Sequence, residues 1–230
     1  MTEPTDLELI ERARAGDADA LGTLVDGRSA TLFRFADRLL DSGADAEAVV
    51  RETFLAAILD VKKAPVRLDS ICEDFALAWD RERRWRSKPS DPVGIRNTFA
   101  GAATEALGAR TLAAVERLPL DLRRPLLHKY LLELDEAESM TRMGTSARTL
   151  RLRLRSALAR VAHEVPEYED DLPSRLAAVL AAEEVPSGLA DEIPNAILAR
   201  RQGPGLALGV ATAIGAIVIF VAAIKAFLPG

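Results

Sequence analysis

The 230-residue sequence has very little of the chemistry that most enzymes use for catalysis or metal binding. It contains one cysteine, Cys72, and two histidines, His128 and His163. A single cysteine excludes an intrachain disulfide and a cysteine-based zinc cluster, and neither histidine has another good ligand at metal-binding spacing. The sequence also lacks a glycine-rich phosphate loop and a nucleophile paired with a base. These absences predict a protein that is not an enzyme and that needs no metal or cofactor.

Aromatic residues make up only 5% of the sequence, whereas Ala, Leu and Arg dominate. Few stretches alternate apolar with polar residues, and strands depend on that alternation and on β-branched and aromatic side chains. We therefore predict an all-α fold. The formal net charge is −5, which argues against nucleic-acid binding over the whole surface. Any DNA contact has to come from local basic patches.

Residues 134–163 have the pattern of two helices joined by a tight turn. An acidic helix-forming stretch, Asp135 to Arg142, precedes Gly144 and Ser146. Glycine permits a sharp bend between two helices, and serine is a good N-cap because its hydroxyl accepts an unpaired N–H of the first turn. The spacing predicts a helix-turn-helix.

The second helix of this pair has two different faces. At about 100° per residue, one stripe is apolar and consists of Leu150, Leu154, Ala157 and Val161. The opposite side carries Arg148, Arg151 and Arg155. No acid occurs from Arg142 to His163, whereas solvated helix faces usually mix both signs. The pattern favours a helix that enters the major groove of DNA, with an ordinary solvated surface as the alternative.

Two motifs lie within Arg117 to Val161: RLP followed by Arg before the first helices, and GTSARTLRLRL at the turn. They resemble the promoter-binding C-terminal domain of extracytoplasmic-function (ECF) sigma factors, bacterial proteins that bring RNA polymerase to promoters. Glu138-Ser139-Met140 departs from this family, which usually has Glu-Ile-Ala. The resemblance implies an upstream promoter box read by the second helix. The DNA-binding residues implied there are Ser146, Arg148, Thr149, Arg151, Arg153 and Arg155.

The segment Asp6 to Ile58 contains AGDADAL and DAEAVVRETFL, which resemble the first helical domain of the same family. In that family the second motif binds the clamp helices of the largest polymerase subunit. The polymerase-binding candidates that this implies are Asp45, Glu47, Val50, Glu52, Thr53, Phe54 and Leu55. An alternative is that Val50, Phe54 and Leu55 belong to the core. Ala48 and Arg51 depart from the family, which usually has Asp and Gln at these positions.

Val66 to Lys88 corresponds to the family's element for melting and reading the downstream promoter box. Glu73 and Asp74 stand where a basic and a neutral residue are usual, and acids repel a phosphate backbone. The end of the segment is basic and includes an aromatic that could stack on an unpaired base. The DNA-binding candidates here are Arg81, Arg83, Arg84, Trp85 and Arg86. The alternative is a basic helix end stabilised by the helix dipole.

Residues 89–101, PSDPVGIRNTFAG, have the composition of a linker. The predicted organisation is two small helical domains joined by a flexible linker. Its parts are an N-terminal domain at 1–88, the linker at 89–104, a helix-turn-helix domain at 105–165 and a juxtamembrane linker with short helices at 166–205.

Residues 206–224 read LALGVATAIGAIVIFVAAI and carry no charge. With the residues up to 228 they are long enough to cross about 30 Å of hydrocarbon as a helix. We predict a C-terminal transmembrane helix at 206–228, with a fully buried core helix as the alternative. Arg200 and Arg201 precede it and Lys225 lies near its end. The positive-inside rule then predicts a single-pass protein of the inner membrane with its N-terminal domains in the cytoplasm.

Two hypotheses about function follow. The first is a membrane-tethered ECF-type sigma factor that directs RNA polymerase to specific promoters. Its expected partners are core polymerase, promoter DNA, the membrane and an anti-sigma protein. The second is a sigma-like binding module at the membrane that interacts with regulators such as anti-sigma proteins and does not itself initiate transcription. The second hypothesis is motivated by Glu73, Asp74, Ala48 and Arg51.

Overall fold

A computed structural model describes residues 4–60, 67–86, 103–168, 171–182 and 185–202 of the chain, and every regular element in these ranges is helical. The all-α prediction is therefore confirmed for this part of the protein. The helices are α1 (Asp6–Arg14), α2 (Ala18–Leu40), α3 (Gly43–Leu59), α4 (Leu68–Arg86), α5 (Ala103–Glu116), α6 (Leu120–Tyr130), α7 (Glu136–Met143), α8 (Ala147–Glu164), α9 (Leu172–Ala181) and α10 (Leu189–Gln202). A short 3-10 turn at Pro166–Tyr168 follows α8.

The described helices include none with the length and apolar character needed to span a membrane. The predicted transmembrane segment, 206–228, lies outside the described residues, as does most of the predicted linker at 89–104. Both remain predictions from the sequence.

Helices α1 to α4 form an N-terminal bundle. Short polar side chains cap the N-termini of α1, α2 and α3. Thr5 and Glu8 form a reciprocal capping box at the start of α1, and the N–H of Ala20 donates to Asp17 at 3.0 Å at the start of α2. Ser42 caps α3. Each cap satisfies backbone donors that the first helical turn leaves unpaired.

The N-terminal bundle packs around α2, which contacts α1, α3 and α4. Its largest fully buried side chains include Leu24, Phe35, Leu40, Phe54 and Ile58. Cys72 of α4 is also fully buried, and burial raises the pKa of its thiol to about 12. The only cysteine of the chain is therefore an unreactive core residue, since the thiolate is the reactive form.

Helices α5 to α8 form a second bundle in which α8 contacts α5, α6 and α7. The apolar stripe of α8 faces this bundle as predicted, with Leu150, Ala157 and Val161 buried and Leu154 partly buried. Gly144 ends α7 in the left-handed conformation, at φ 57° and ψ 41°. Glycine adopts this conformation without the steric cost of a Cβ atom, so the turn between α7 and α8 forms where the sequence predicts it.

The two bundles pack against each other through buried arginines. Arg123 of α6 donates to the carbonyl of Arg38 and to the carboxylate of Asp41, both at 2.8 Å. Arg38 of α2 in turn pairs with Glu116 of α5 at 2.9 Å. Buried guanidinium groups require such partners, because an unpaired charge in the interior is strongly destabilising. One apolar core also runs through both bundles and includes residues of α9 and α10.

A second polar contact joins α4 to the helix-turn-helix bundle. The carboxylate of Glu73 accepts hydrogen bonds from Arg124 at 2.6 Å and from the fully buried His128 at 2.8 Å. Arg142 of α7 lies 3.9 Å from the other carboxylate oxygen. Only 3% of the Glu73 surface is exposed. Burial disfavours its ionised form, but the hydrogen bond from His128 and the charges of His128 and Arg124 hold the pKa of Glu73 below its usual 4.5.

We expect Glu73→Gln to lower the free energy of unfolding by roughly 3 kcal/mol at pH 7, because buried cations lose their counter-charge. A depressed carboxylate pKa gives stability that is present above the unfolded-state value and is lost as the pH falls through the folded-state value. The difference between wild type and variant should therefore shrink below about pH 4.5. Urea unfolding followed by circular dichroism, at a series of pH values, measures this difference.

Glu11 of α1 is exposed, so Glu11→Gln, which makes the same chemical change at the surface, is the matched control, with an expected change of about 0.5 kcal/mol or less. A Glu73→Gln difference that is small at pH 7, or equally large at every pH, would contradict the proposed role of the Glu73 carboxylate.

Candidate functional site

The start of α8 is built as the sequence predicts. Ser146 is its N-cap, and the N–H of Thr149 donates to the Ser146 hydroxyl at 3.3 Å. The first turn of α8 contains no acid, so the partial positive charge of the helix N-terminus is not offset by a carboxylate on α8 itself. This end of α8 is therefore suited to approach an anion such as phosphate.

The arginine face of α8, defined as Arg148, Arg151 and Arg155, is exposed along its length. It lies opposite the buried apolar stripe, so the face is available without disturbing the core. Arg153 is half-buried on the flank. The structure thus brings Arg148, Arg151 and Arg155 onto one accessible surface and leaves Arg153 outside it, while a DNA contact by any of them remains a prediction.

Leu152 lies on the same surface and was missed by the sequence analysis. It is 51% exposed and lies one helical turn from both Arg148 and Arg155. Apolar side chains on a major-groove helix contact the methyl group of thymine. The available signal in the sequence was a leucine that falls out of register with the apolar stripe.

Arg151 is paired with Glu136 of α7 in this structure. Its guanidinium donates to the Glu136 carboxylate at 2.8 Å, and both side chains are exposed. The hydrogen bond from Arg151, together with its charge, lowers the pKa of Glu136. Exposed ion pairs contribute only about 0–1 kcal/mol, so Arg151 can exchange this carboxylate for a phosphate at little cost.

The basic end of α4 is described only in part. Arg81 is exposed, and Arg83 lies 3.9 Å from the carboxylates of Asp45 and Asp80. Helix α4 continues to Arg86, but the side chains of Arg84, Trp85 and Arg86 lie outside the described residues.

Trp79 is a second exposed residue that sequence reasoning missed, at 38% exposure. It precedes Arg83 by one helical turn, so it adds an accessible aromatic ring beside the basic end of α4. In proteins that bind single-stranded nucleic acid, unpaired bases stack on exposed aromatic rings that lie beside basic residues.

The expectation that Glu73 repels a DNA backbone does not hold in this structure. Its carboxylate is buried between α4, α6 and α7, where it pairs with Arg124 and is hydrogen-bonded to His128. Asp74 is exposed and keeps its acidic surface position. The departure of Glu73 from the family pattern therefore has a structural explanation, since it forms the contact between the bundles.

The polymerase-binding candidates on α3 divide into two groups. Four of them are buried: Val50, Thr53, Phe54 and Leu55. The alternative interpretation of the sequence placed three of these, Val50, Phe54 and Leu55, in the core. The Thr53 hydroxyl donates to the carbonyl of Val49 at 2.8 Å. Three carboxylates, Asp45, Glu47 and Glu52, are at least partly accessible. In this arrangement only the carboxylates are placed to meet a partner, while the buried residues hold α3 in position.

Two partly accessible side chains of α3 form ion pairs with another part of the chain. Arg51 pairs with Glu192 of α10 at 2.7 Å, and Glu52 pairs with Arg200 of α10 at 3.2 Å. Nothing in the sequence analysis anticipated these contacts, because the partners are 141 and 148 residues apart.

No protein-family model matches the chain. A curated protein, the ECF RNA polymerase sigma factor BldN of Streptomyces coelicolor, is 29% identical to it over 171 residues. The alignment covers 67% of this chain and 65% of BldN, so the chain spans somewhat less than two thirds of the relative's length. The chain is therefore a distant homologue of an ECF sigma factor, which supports the resemblance seen in the motifs. Sigma factors are not enzymes, so the similarity also supports a non-enzymatic role.

We expect Glu136→Gln to strengthen the binding of duplex DNA, because it releases Arg151 and removes an acid from beside the arginine face. If Arg151 then contacts a phosphate more fully, the salt dependence of log K should steepen by up to about 0.9. Arg151→Ala should have the opposite effect. Fluorescence anisotropy with a duplex of random sequence, titrated with salt, measures both variants.

Glu167 provides the matched control, because it also forms an exposed pair, with Arg110 at 2.7 Å, but outside α8. Glu167→Gln should leave the salt slope unchanged. If all three variants bind DNA as the wild type does, the arginine face is a solvated surface and not a DNA contact.

Proposed function

We propose that the protein is an ECF-type sigma factor that directs RNA polymerase to specific promoters. The observation that carries this proposal is the helix-turn-helix of α7 and α8, in which the arginine face is exposed opposite a buried apolar stripe. The distant similarity to BldN and the motifs in α2 and α3 support it. The function requires binding and positioning alone, so no catalytic residue or cofactor is part of the proposal.

In this proposal the helices have separate roles. Helix α8 reads the upstream promoter box through the arginine face, with Leu152 as an additional apolar contact. The basic end of α4 reads the downstream box, where Arg81 and Arg83 are the described cations. Helix α3 contacts the polymerase through its accessible carboxylates, and Glu52 is the most central of these in the motif.

We further propose that residues 206–224 tether the protein to the inner membrane and leave the N-terminal domains in the cytoplasm. Support comes from the sequence alone: nineteen consecutive uncharged residues, preceded by Arg200 and Arg201. Such a stretch matches the length and polarity of a membrane-spanning helix.

The alternative is a sigma-like module that binds regulators, such as an anti-sigma protein, without initiating transcription. The pairing of Arg51 and Glu52 with α10 favours it, because part of the candidate polymerase surface is already in use within the chain. Transcription assays separate the two functions.

Run-off transcription tests the main proposal. The full-length chain is mixed with an excess of core polymerase and with genomic DNA fragments. We expect discrete transcripts that core polymerase alone does not produce. The triple variant Arg148→Ala/Arg151→Ala/Arg155→Ala should lose them while keeping its melting temperature, because these side chains are exposed. If the chain binds core polymerase but yields no promoter-specific transcript, the module hypothesis replaces the sigma factor.

Leu150 provides the contrasting variant on the same helix, since its side chain is 6% exposed. Leu150→Ala should destabilise the fold by about 2–5 kcal/mol, because it leaves a cavity under α8. A triple arginine variant that melts like Leu150→Ala would mean that the arginine face has a structural role.

Removal of the apolar segment tests the tether. A chain that ends at Gln202 should move from the membrane fraction to the supernatant. In the full-length chain, Ile217→Asp should also weaken insertion, because a carboxylate near the centre of a membrane helix costs about 2.5–3.5 kcal/mol. Thr212→Ser is the conservative control. If the shortened chain still sediments with membranes after a high-salt wash, residues 206–224 are not the main anchor.

A further inference from the structure

Helix α10 packs on the helix that carries the polymerase-binding candidates. It contacts α3 and α2 in the N-terminal bundle, whereas α9, just before it, contacts α5 and α6 in the other bundle as well as α2. Helices α9 and α10 together thus contact both bundles. They lie beyond Val161, where the sequence motifs of the sigma family end.

The contact of α10 with α2 and α3 has an apolar centre. Leu189, Ile193 and Ile197 are spaced four residues apart and form one stripe along the helix. All three are buried, with exposures of 3%, 0% and 0%. Leu198, the residue next to Ile197, is 45% exposed on the other side of the helix. The helix is therefore bound by one face, which is the geometry of an amphipathic helix in a groove.

Two ion pairs border this apolar stripe, and α10 supplies the acid in one of them and the base in the other. Glu192 meets Arg51, and Arg200, eight residues later, meets Glu52. If α10 lay in the reverse direction, Arg200 would face Arg51 and Glu192 would face Glu52. Like charges would then repel, so the two pairs specify the orientation of α10. Arg51 is also the residue at which α3 departs from the sigma-family motif. Its unusual charge has a partner within the chain.

The end of α10 makes one more specific contact. Arg201 donates to the carbonyl oxygen of Ala13, at 2.8 Å, in the last turn of α1. Carbonyl groups at a helix C-terminus lack intrahelical partners and attract cations. α10 is thus held at its first turn by Glu192, along its length by aliphatic residues, and at its last turn by Arg200 and Arg201.

We propose that the surface formed by α2 and α3 is a helix-binding site, and that α10 and RNA polymerase compete for it. The kind of partner that fits is an amphipathic helix with an aliphatic stripe, bordered by an acid and, two turns later, by a base. α10 fills this site within the same chain, and polymerase has to displace it before it can reach Glu52. This inference rests on the proposed function.

Competition of this kind lowers the apparent affinity for polymerase in proportion to the open fraction of molecules. If α10 is detached in about 1% of molecules, the apparent Kd is about 100-fold weaker than the intrinsic Kd. Any change that detaches α10 without touching α3 should therefore tighten polymerase binding.

Ile197→Glu in the full-length chain, purified in detergent, tests this inference. A carboxylate at a fully buried position should detach α10, and hydrogen exchange of the α10 amides should accelerate. We expect the apparent Kd for core polymerase to fall about tenfold or more, by the same proportionality to the open fraction. Leu198→Glu introduces the same group one residue away on the exposed face and should change the Kd by no more than about twofold.

The double variant Glu192→Arg/Arg200→Glu gives an independent test that leaves the core intact, because it reverses only accessible charges and makes both pairs repulsive. Like Ile197→Glu, it should lower the apparent Kd for core polymerase. It replaces Ile197→Glu in the test if that variant does not fold. If neither the wild type nor the variants bind polymerase, the proposed function fails. If the wild type binds and detachment of α10 leaves the Kd unchanged, the sigma function stands and the competition is refuted.

Discussion

The buried carboxylate of Glu73 determines how the two helical bundles meet. A buried charge has to be paired, and its partners, Arg124 and His128, come from α6 of the other bundle. Satisfying that one group brings α4 against α6 and α7, and the buried Arg123 adds a second fixed point between α2 and α6. The apolar stripe of α8 is turned toward α5 and α6 within its own bundle, and the arginine face on the opposite side remains exposed.

This closed arrangement limits what the protein can bind. One side of α4 is covered by the helix-turn-helix bundle, and the accessible edge of α3 is paired with α10. A partner that needs these surfaces therefore has to bind strongly enough to open them. The interactions involved differ in strength: the Glu73 cluster is buried, whereas the pairs of Arg51 and Glu52 are accessible and individually weak. Opening at α10 should accordingly require less free energy than separation of the bundles.

Local sequence features predicted local structure well. The Ser146 cap, the Gly144 turn and the apolar stripe of α8 follow from hydrogen bonding, backbone sterics and helical periodicity, which act over a few residues. Contacts between distant segments were not predictable in the same way. Glu73 and His128 are 55 residues apart, and nothing near Glu73 in the sequence reveals that its charge is neutralised. The pairing of α3 with α10 was not predictable for the same reason, because its partners are 141 and 148 residues apart. For Val50 and Phe54, periodicity left core and binding roles open, and burial in the structure favours the core.

In the proposed function, the chain folds into a closed state that polymerase and promoter DNA have to open. Spin labels at Asp26→Cys in α2 and Ser156→Cys in α8 would report the distance between the bundles, since both positions are exposed. Cys72 should stay unlabelled, because it is buried and its pKa is raised to about 12. Double electron–electron resonance on the free protein should give one narrow distance distribution, and addition of core polymerase with a promoter fragment should shift it to longer distances. A distribution that is unchanged while polymerase is bound would contradict the account.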